Sequence, residues 1–154
     1  MKQSIKLSTE QLQYISLFQK ITYTQAKDCI EDEKLDRVIF IVEPGNLGKA
    51  IGKGAINIKS LNNKIQKNID IVEYDKDPKK FIANAINQKL VTDVEITKDD
   101  DGLSRATVIV DANNKGLAVG RNGRNVERAK IIARRYFDIV NVMIDTPQKA
   151  MMEL

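Results

Sequence analysis

The sequence predicts an α+β protein made of two tandem α-β-β-α-α-β modules, each a three-stranded sheet covered by helices. Three observations carry that expectation. Displaced by 68 residues, segment 32–72 aligns with 100–140 without a gap, and 13 of the 41 positions are identical. The run Val38-Ile39-Phe40-Ile41-Val42 is continuously apolar and rich in β-branched residues, which marks a buried strand. The same glycine-containing bend stands at the same place in each half, as Gly52-Lys53-Gly54-Ala55 and Gly120-Arg121-Asn122-Gly123. The identities fall on strands, glycines and helix-buried positions alike, so they mark two copies of one unit. The expected boundaries are 1–75 for the first module, 76–145 for the second and 146–154 for a tail. A core of about 70 residues is marginal alone, so the copies are expected to pack against each other.

In the first copy Ser8 is a candidate N-cap with Gln11 as its capping-box partner, and Leu7 and Leu12 can form the hydrophobic staple. Leu12, Ile15, Phe18 and Ile21 continue an apolar stripe at helical spacing. A strand at Ala26–Ile30, an acidic turn and a strand at Arg37–Val42 follow. Then come a short helix at Leu47–Ile51, the glycine bend, a helix over Ile56–Lys67 and a strand at Asp70–Tyr74. The second copy opens with Asp77 as N-cap and Pro78 at the first helical position, with Phe81, Ile82, Ala85 and Ile86 on one face. Strands at Val91–Thr97 and Arg105–Val110 flank the turn Asp99-Asp100-Asp101-Gly102. A helical turn at Leu117–Val119, the second bend, a helix over Asn125–Phe137 and a strand at Ile139–Ile144 complete it. Ile58, Leu61, Ile65 and Ile69, with Val126, Ala129, Ala133 and Phe137, recur at helical spacing and are assigned to the core.

Composition narrows the chemistry. No apolar stretch approaches the ~20 residues that cross a bilayer, and no apolar run follows the first residues, so neither a membrane segment nor a secretory signal is expected. The single Cys29 fits a reducing, cytoplasmic setting. Histidine is absent, which removes the commonest general base, the commonest metal ligand and every Ser/His or Cys/His pair. No G-x-x-x-x-G-K-[S/T] loop is present either. No catalysis, cofactor, metal or small-molecule substrate is expected. The acidic clusters Glu31-Asp32-Glu33 and Asp99-Asp100-Asp101 occupy equivalent places between strands and read as hairpin tips.

Charge is concentrated. Residues 49–67 carry five lysines and no acid, and 115–135 carry seven basic residues against Glu127, so the rest of a +4 chain holds −7. Two basic loop-helix units on an acidic body are the footprint of a polyanion-binding protein. In each bend glycine allows positive φ and leaves room beside the backbone. The helix that follows offers N–H groups and a positive dipole end to a phosphate.

Gly120-Arg121-Asn122-Gly123 resembles the GXXG loop of a K-homology (KH) domain, which clamps about four nucleotides of backbone. The element order resembles the type II, prokaryotic variant of that fold. Two such modules in tandem, carrying Ala50-Ile51-Gly52-Lys53-Gly54 and Ala118-Val119-Gly120-Arg121-Asn122-Gly123, are similar to the archaeal NusA-like transcription factors. The opening Ile5-Lys6-Leu7-Ser8-Thr9-Glu10-Gln11-Leu12 and the closing Arg134-Arg135-Tyr136-Phe137-Asp138-Ile139 extend the similarity over about residues 5–145. The resemblance implies single-stranded RNA binding in transcription elongation, termination or antitermination, with RNA polymerase as a partner. It departs at Ala55, where the fourth glycine is missing; a methyl there spares the turn if its φ is negative but crowds a phosphate. Bacterial relatives carry an S1 domain and a polymerase-binding domain for which this chain is too short. A ribosome-associated or RNA-maturation factor with the same fold, or a protein-interaction module with vestigial loops, are the alternatives.

The candidate RNA-binding residues are Lys49, Ile51, Gly52, Lys53, Gly54 and Ala55 in the first module, and Val119, Gly120, Arg121, Asn122, Gly123, Arg124 and Arg128 in the second. Ile51 and Val119 either line a base groove or belong to the core. Asn57 and Asn125 either cap their helices or meet RNA, and Gly48 and Gly116 either pack closely or act directly. Lys59, Lys64, Lys67, Lys130, Arg134 and Arg135 read as solvated faces. None of the eight aromatic residues stands in a basic context that suggests a stacking platform.

Overall fold

Local signals set the first unit. Ser8 Oγ accepts from Gln11 N at 3.1 Å and Gln11 Oε1 accepts from Ser8 N at 2.9 Å, the reciprocal box that starts α1 (Thr9–Thr22). The computed structural model describes residues 5–147, which form two compact units, Ile5–Asp75 and the described residues from Lys76 onward. The expected tail lies outside the described residues beyond 147. α1 buries Phe18 and packs Tyr14, Ile15, Leu17 and Ile21 against the core. Leu12 leaves the expected stripe and is exposed, because six residues before Phe18 it points about 120° away around the helix.

β1 (Ala26–Asp32), β2 (Arg37–Val42) and β3 (Asn68–Glu73) form a sheet in the order β1-β2-β3. β1 and β2 are an antiparallel hairpin, whereas β2 and β3 run parallel. A parallel pair needs a crossover, here supplied by α2 (Leu47–Ile51) and α3 (Ile56–Ile65). Every residue of β2 is buried, as its unbroken apolar run requires. Phe18 stacks on Phe40 with ring centroids 4.5 Å apart, and Cys29, Val38, Val42, Ala50 and Leu61 complete this core. α3 stops two residues short of the expected Lys67: Gln66 turns left-handed at φ 65° and Asn62 Nδ2 donates to Lys67 O at 2.7 Å.

The second unit repeats the plan. Asp77 Oδ1 accepts from Lys79 N at 3.0 Å and caps α4 (Pro78–Ile86), which buries Phe81, Ile82, Ala85 and Ile86. β4 (Val91–Lys98), β5 (Ser104–Val110) and β6 (Ile139–Asp145) form the second sheet in that order, with α5 (Lys115–Val119) and α6 (Arg124–Phe137) as the crossover. α6 buries Ala129, Ile132 and Ala133, and Phe81 meets Tyr136 and Phe137 edge-on at 5.0 and 6.0 Å.

The repeat is not uniform in space. Ala26 faces Val42 and Val91 faces Val110, so the first strands correspond at 65 residues and the second hairpin is three residues longer. α6 has 14 residues against 10 in α3, and Arg37 faces Asn68 where Arg105 faces Asn141, so the third strands correspond at 73. The matches Asp32/Asp100 and Asp70-Ile71-Val72/Asp138-Ile139-Val140 are therefore not equivalent positions. One consequence is a buried ionic triad in the first sheet alone. Arg37, its side chain 1% exposed, donates Nε to Asp32 Oδ2 at 2.7 Å and Nη1 to Asp70 Oδ2 at 2.9 Å. The equivalent places in the second sheet hold Thr97, Arg105 and Met143, and Arg105 instead pairs with Asp99 at the hairpin turn. Both acidic clusters do lie at the hairpins, but Asp32 still belongs to β1.

Candidate nucleic-acid interface

The two glycine bends have one conformation. Gly52 N donates to Gly48 O and Gly120 N to Gly116 O, each at 3.0 Å, ending α2 and α5. Gly52 (φ 78°, ψ 163°) and Gly120 (φ 81°, ψ 162°) then occupy a backbone region that essentially only glycine enters. Lys53–Ala55 and Arg121–Gly123 each make one 3-10 turn, closed by Ala55 N to Gly52 O and Gly123 N to Gly120 O at 3.0 Å. The third and fourth positions are left-handed in both: Gly54 (64°) and Ala55 (58°), then Asn122 (58°) and Gly123 (73°). The first loop places its second glycine third and alanine fourth; the second places asparagine third and glycine fourth.

Ala55 thus holds the turn at positive φ, contrary to the strain-free case in which its φ is negative, at a cost of about 1 kcal/mol. Ala55→Gly should raise stability by about 0.5–1 kcal/mol in urea unfolding, the relief of strain exceeding the added freedom of the unfolded chain. A lower unfolding midpoint would show that the alanine sits there without strain.

Asn57 and Asn125 brace the bends from inside. Asn57 Nδ2 donates to Lys49 O at 3.1 Å and Asn125 Nδ2 to Leu117 O at 3.2 Å, tying each following helix to the helix before it. A Cβ on Gly52 would lie 2.9 Å from Asn57 Nδ2, and one on Gly120 would lie 2.8 Å from Arg124 Cγ and 2.9 Å from Asn125 Cγ. The first glycine of each loop makes room for this brace. The outer face stays open: a Cβ on Gly54 would meet nothing within 4 Å, and one on Gly123 only Val126 at 3.7 Å. Neither φ nor crowding requires glycine at Gly48 or Gly116.

The helices that leave the bends differ from the other long helices at their starts. α1 and α4 are capped by Ser8 and Asp77, but α3 and α6 begin at Ala55 and Gly123 and receive no side-chain cap. Their first-turn N–H groups and positive dipole ends face outward between exposed cations. Lys49, Lys53, Arg121 and Arg124 are exposed around the two loops, and Asn122 is exposed at the second tip. Ile51 and Val119 are half-buried beside the buried Ala50 and Ala118. Arg128 faces inward: its Nε donates to Ala85 O at 2.6 Å, and its Nη2 to Ile86 O at 3.1 Å and Asn125 Oδ1 at 3.0 Å. It caps the end of α4 and steadies the Asn125 brace. Arg134, read from sequence as a solvated face, donates Nε and Nη2 to Val140 O at 3.1 and 2.9 Å. Two exposed aliphatic residues beside the loops, Ile56 and Leu117, escape sequence reasoning because helical spacing alone does not reveal which side they face.

Comparison with known proteins places this geometry. A KH-domain profile matches residues 13–76, and a profile for the NusA-like second KH domain matches residues 78–147. A "Probable transcription termination protein NusA" of Halobacterium salinarum is 34% identical over 141 residues, covering 92% of this chain and 99% of the relative. The protein of the same name from Methanococcus vannielii is 36% identical over 140 residues, or 91% of this chain and 79% of the relative. The crystal structure of APE1850 superposes with a TM-score of 0.80 at 34% identity, covering 90% of this chain and all of the other.

Proposed function

The chain belongs to the family of archaeal NusA-like tandem KH proteins, and on that premise we propose that it binds single-stranded RNA in transcription termination. The observation that carries this reading is the pair of glycine bends opening onto helix starts that no side chain caps. Each bend brings backbone N–H groups, a helix dipole and flanking cations to one exposed point, an arrangement suited to the sugar–phosphate backbone. Lys53, Gly54 and Lys49 serve the first loop; Arg121, Asn122 and Arg124 serve the second. Ile51 and Val119 stand beside the loops as groove walls, while Gly52, Gly120, Ala55, Gly123 and Arg128 shape and hold the turns. We place the protein in the cytoplasm, acting with RNA polymerase as a binding factor rather than a catalyst. Among the described residues no helix is long and apolar enough to cross a membrane.

The test is fluorescence polarisation with short labelled single-stranded RNAs across a salt series. If one loop engages about four nucleotides, log affinity should fall against log salt with a slope of about −3. Binding that ignores salt, or no binding at low salt, would remove the reading.

A further inference from the structure

Each loop is flanked by two positions whose residue types are exchanged between the modules. Before the loop stand Lys49 and Leu117; just after it stand Ile56 and Arg124. Ile56 is 59% exposed and Leu117 67% exposed. The side chain after the loop lies over the loop's first glycine: Ile56 Cγ2 sits 3.0 Å, and Arg124 Cγ 2.8 Å, from where a Cβ on Gly52 or Gly120 would stand. Anything held at the bend meets that side chain. A single exposed aliphatic residue needs no explanation. Two of them beside matched uncapped helix starts, each with a cation at the partner position, form a pattern.

A nucleotide has the complementary halves, an anionic phosphate and an apolar base face. We propose, resting on the RNA-binding reading above, that Ile56 and Leu117 are the base-contacting residues that flank the two phosphate-holding loops. Because the order is exchanged, the base lies on the α3 side of the first loop and on the α5 side of the second. The two modules then read their bases from opposite sides of the held phosphate.

The experiment compares two labelled probes of equal length and charge: a mixed-sequence single-stranded RNA and an abasic ribose-phosphate oligomer. Ile56→Ser and Leu117→Ser should each weaken RNA binding about fivefold through lost apolar contact and leave abasic binding unchanged. Melting temperatures should also stay unchanged, because both side chains are exposed. Equal losses on both probes would overturn the proposal by placing the contact on the backbone. No loss on either would overturn it too, leaving the aliphatic pair to a protein partner. The control Arg121→Asp/Asn122→Asp separates the two levels. If that variant loses both probes while the serine variants lose neither, only the base contact fails. If it binds RNA as tightly as the wild type, the loop reading fails and takes this proposal with it.

Discussion

Arg37→Ala should cost about 3–5 kcal/mol of stability, while Arg105→Ala at the matching place in the second sheet should cost under about 1 kcal/mol. The difference lies in the surroundings. Arg37 bridges Asp32 and Asp70 with all three side chains almost fully withdrawn from water, so its removal strands two buried carboxylates. Arg105 and Asp99 keep 41% and 34% of their side-chain surface, so water replaces most of what that pair provides. The triad is not perfectly matched either: Arg37 Nη2 is buried without a hydrogen-bond partner. Replacing all three residues with apolar ones of similar volume should therefore be far less harmful than removing Arg37 alone. Urea unfolding of the two alanine variants checks the contrast. Equal, small losses would mean that the buried triad contributes no more than a surface pair.

The same contrast marks how far sequence reasoning reaches. Helix starts were legible because caps act within three residues: the Ser8/Gln11 box and the Asp77-Pro78 start both appear as read. β2 was legible because a strand buried on both faces leaves an unbroken apolar run. What escaped depends on lengths that no local signal fixes. The longer second hairpin and the longer α6 shift both flanking strands, so identical residues such as Asp70 and Asp138 land in unlike places. Asp70 enters β3 and pairs with Arg37, whereas Asp138 turns left-handed at the end of α6. At the site, the type of loop was legible from its glycines, but side-chain direction was not. Asn57 and Asn125 were left open between capping and RNA, and they brace the turn. Arg128, grouped with the loop by sequence distance, reaches back to α4 because a half-buried guanidinium is steadied by carbonyls at a helix end.

The two loops should not be equal in RNA binding. Arg121→Asp/Asn122→Asp is expected to weaken binding about a hundredfold, and Lys53→Asp/Gly54→Asp about tenfold. Their backbones are alike, so the ranking rests on what each presents. The second loop offers Arg121, whose planar fork can grip a phosphate with two hydrogen bonds, and the exposed Asn122 amide as a further donor. The first offers Lys53, a point charge, beside Gly54, which has no side chain. The fourth position adds to the gap. Gly123 leaves the helix start bare, whereas Ala55 sets a methyl at the same left-handed position, where a phosphate must come close to reach the first N–H groups. Ala55→Gly should then strengthen binding by the first module and narrow the difference between the two loop variants, beyond its effect on stability. Polarisation titrations at one fixed salt concentration give the ranking directly. A larger loss from the Lys53/Gly54 pair would reverse it, and an Ala55→Gly variant that binds no better would show that the methyl stands clear of the phosphate.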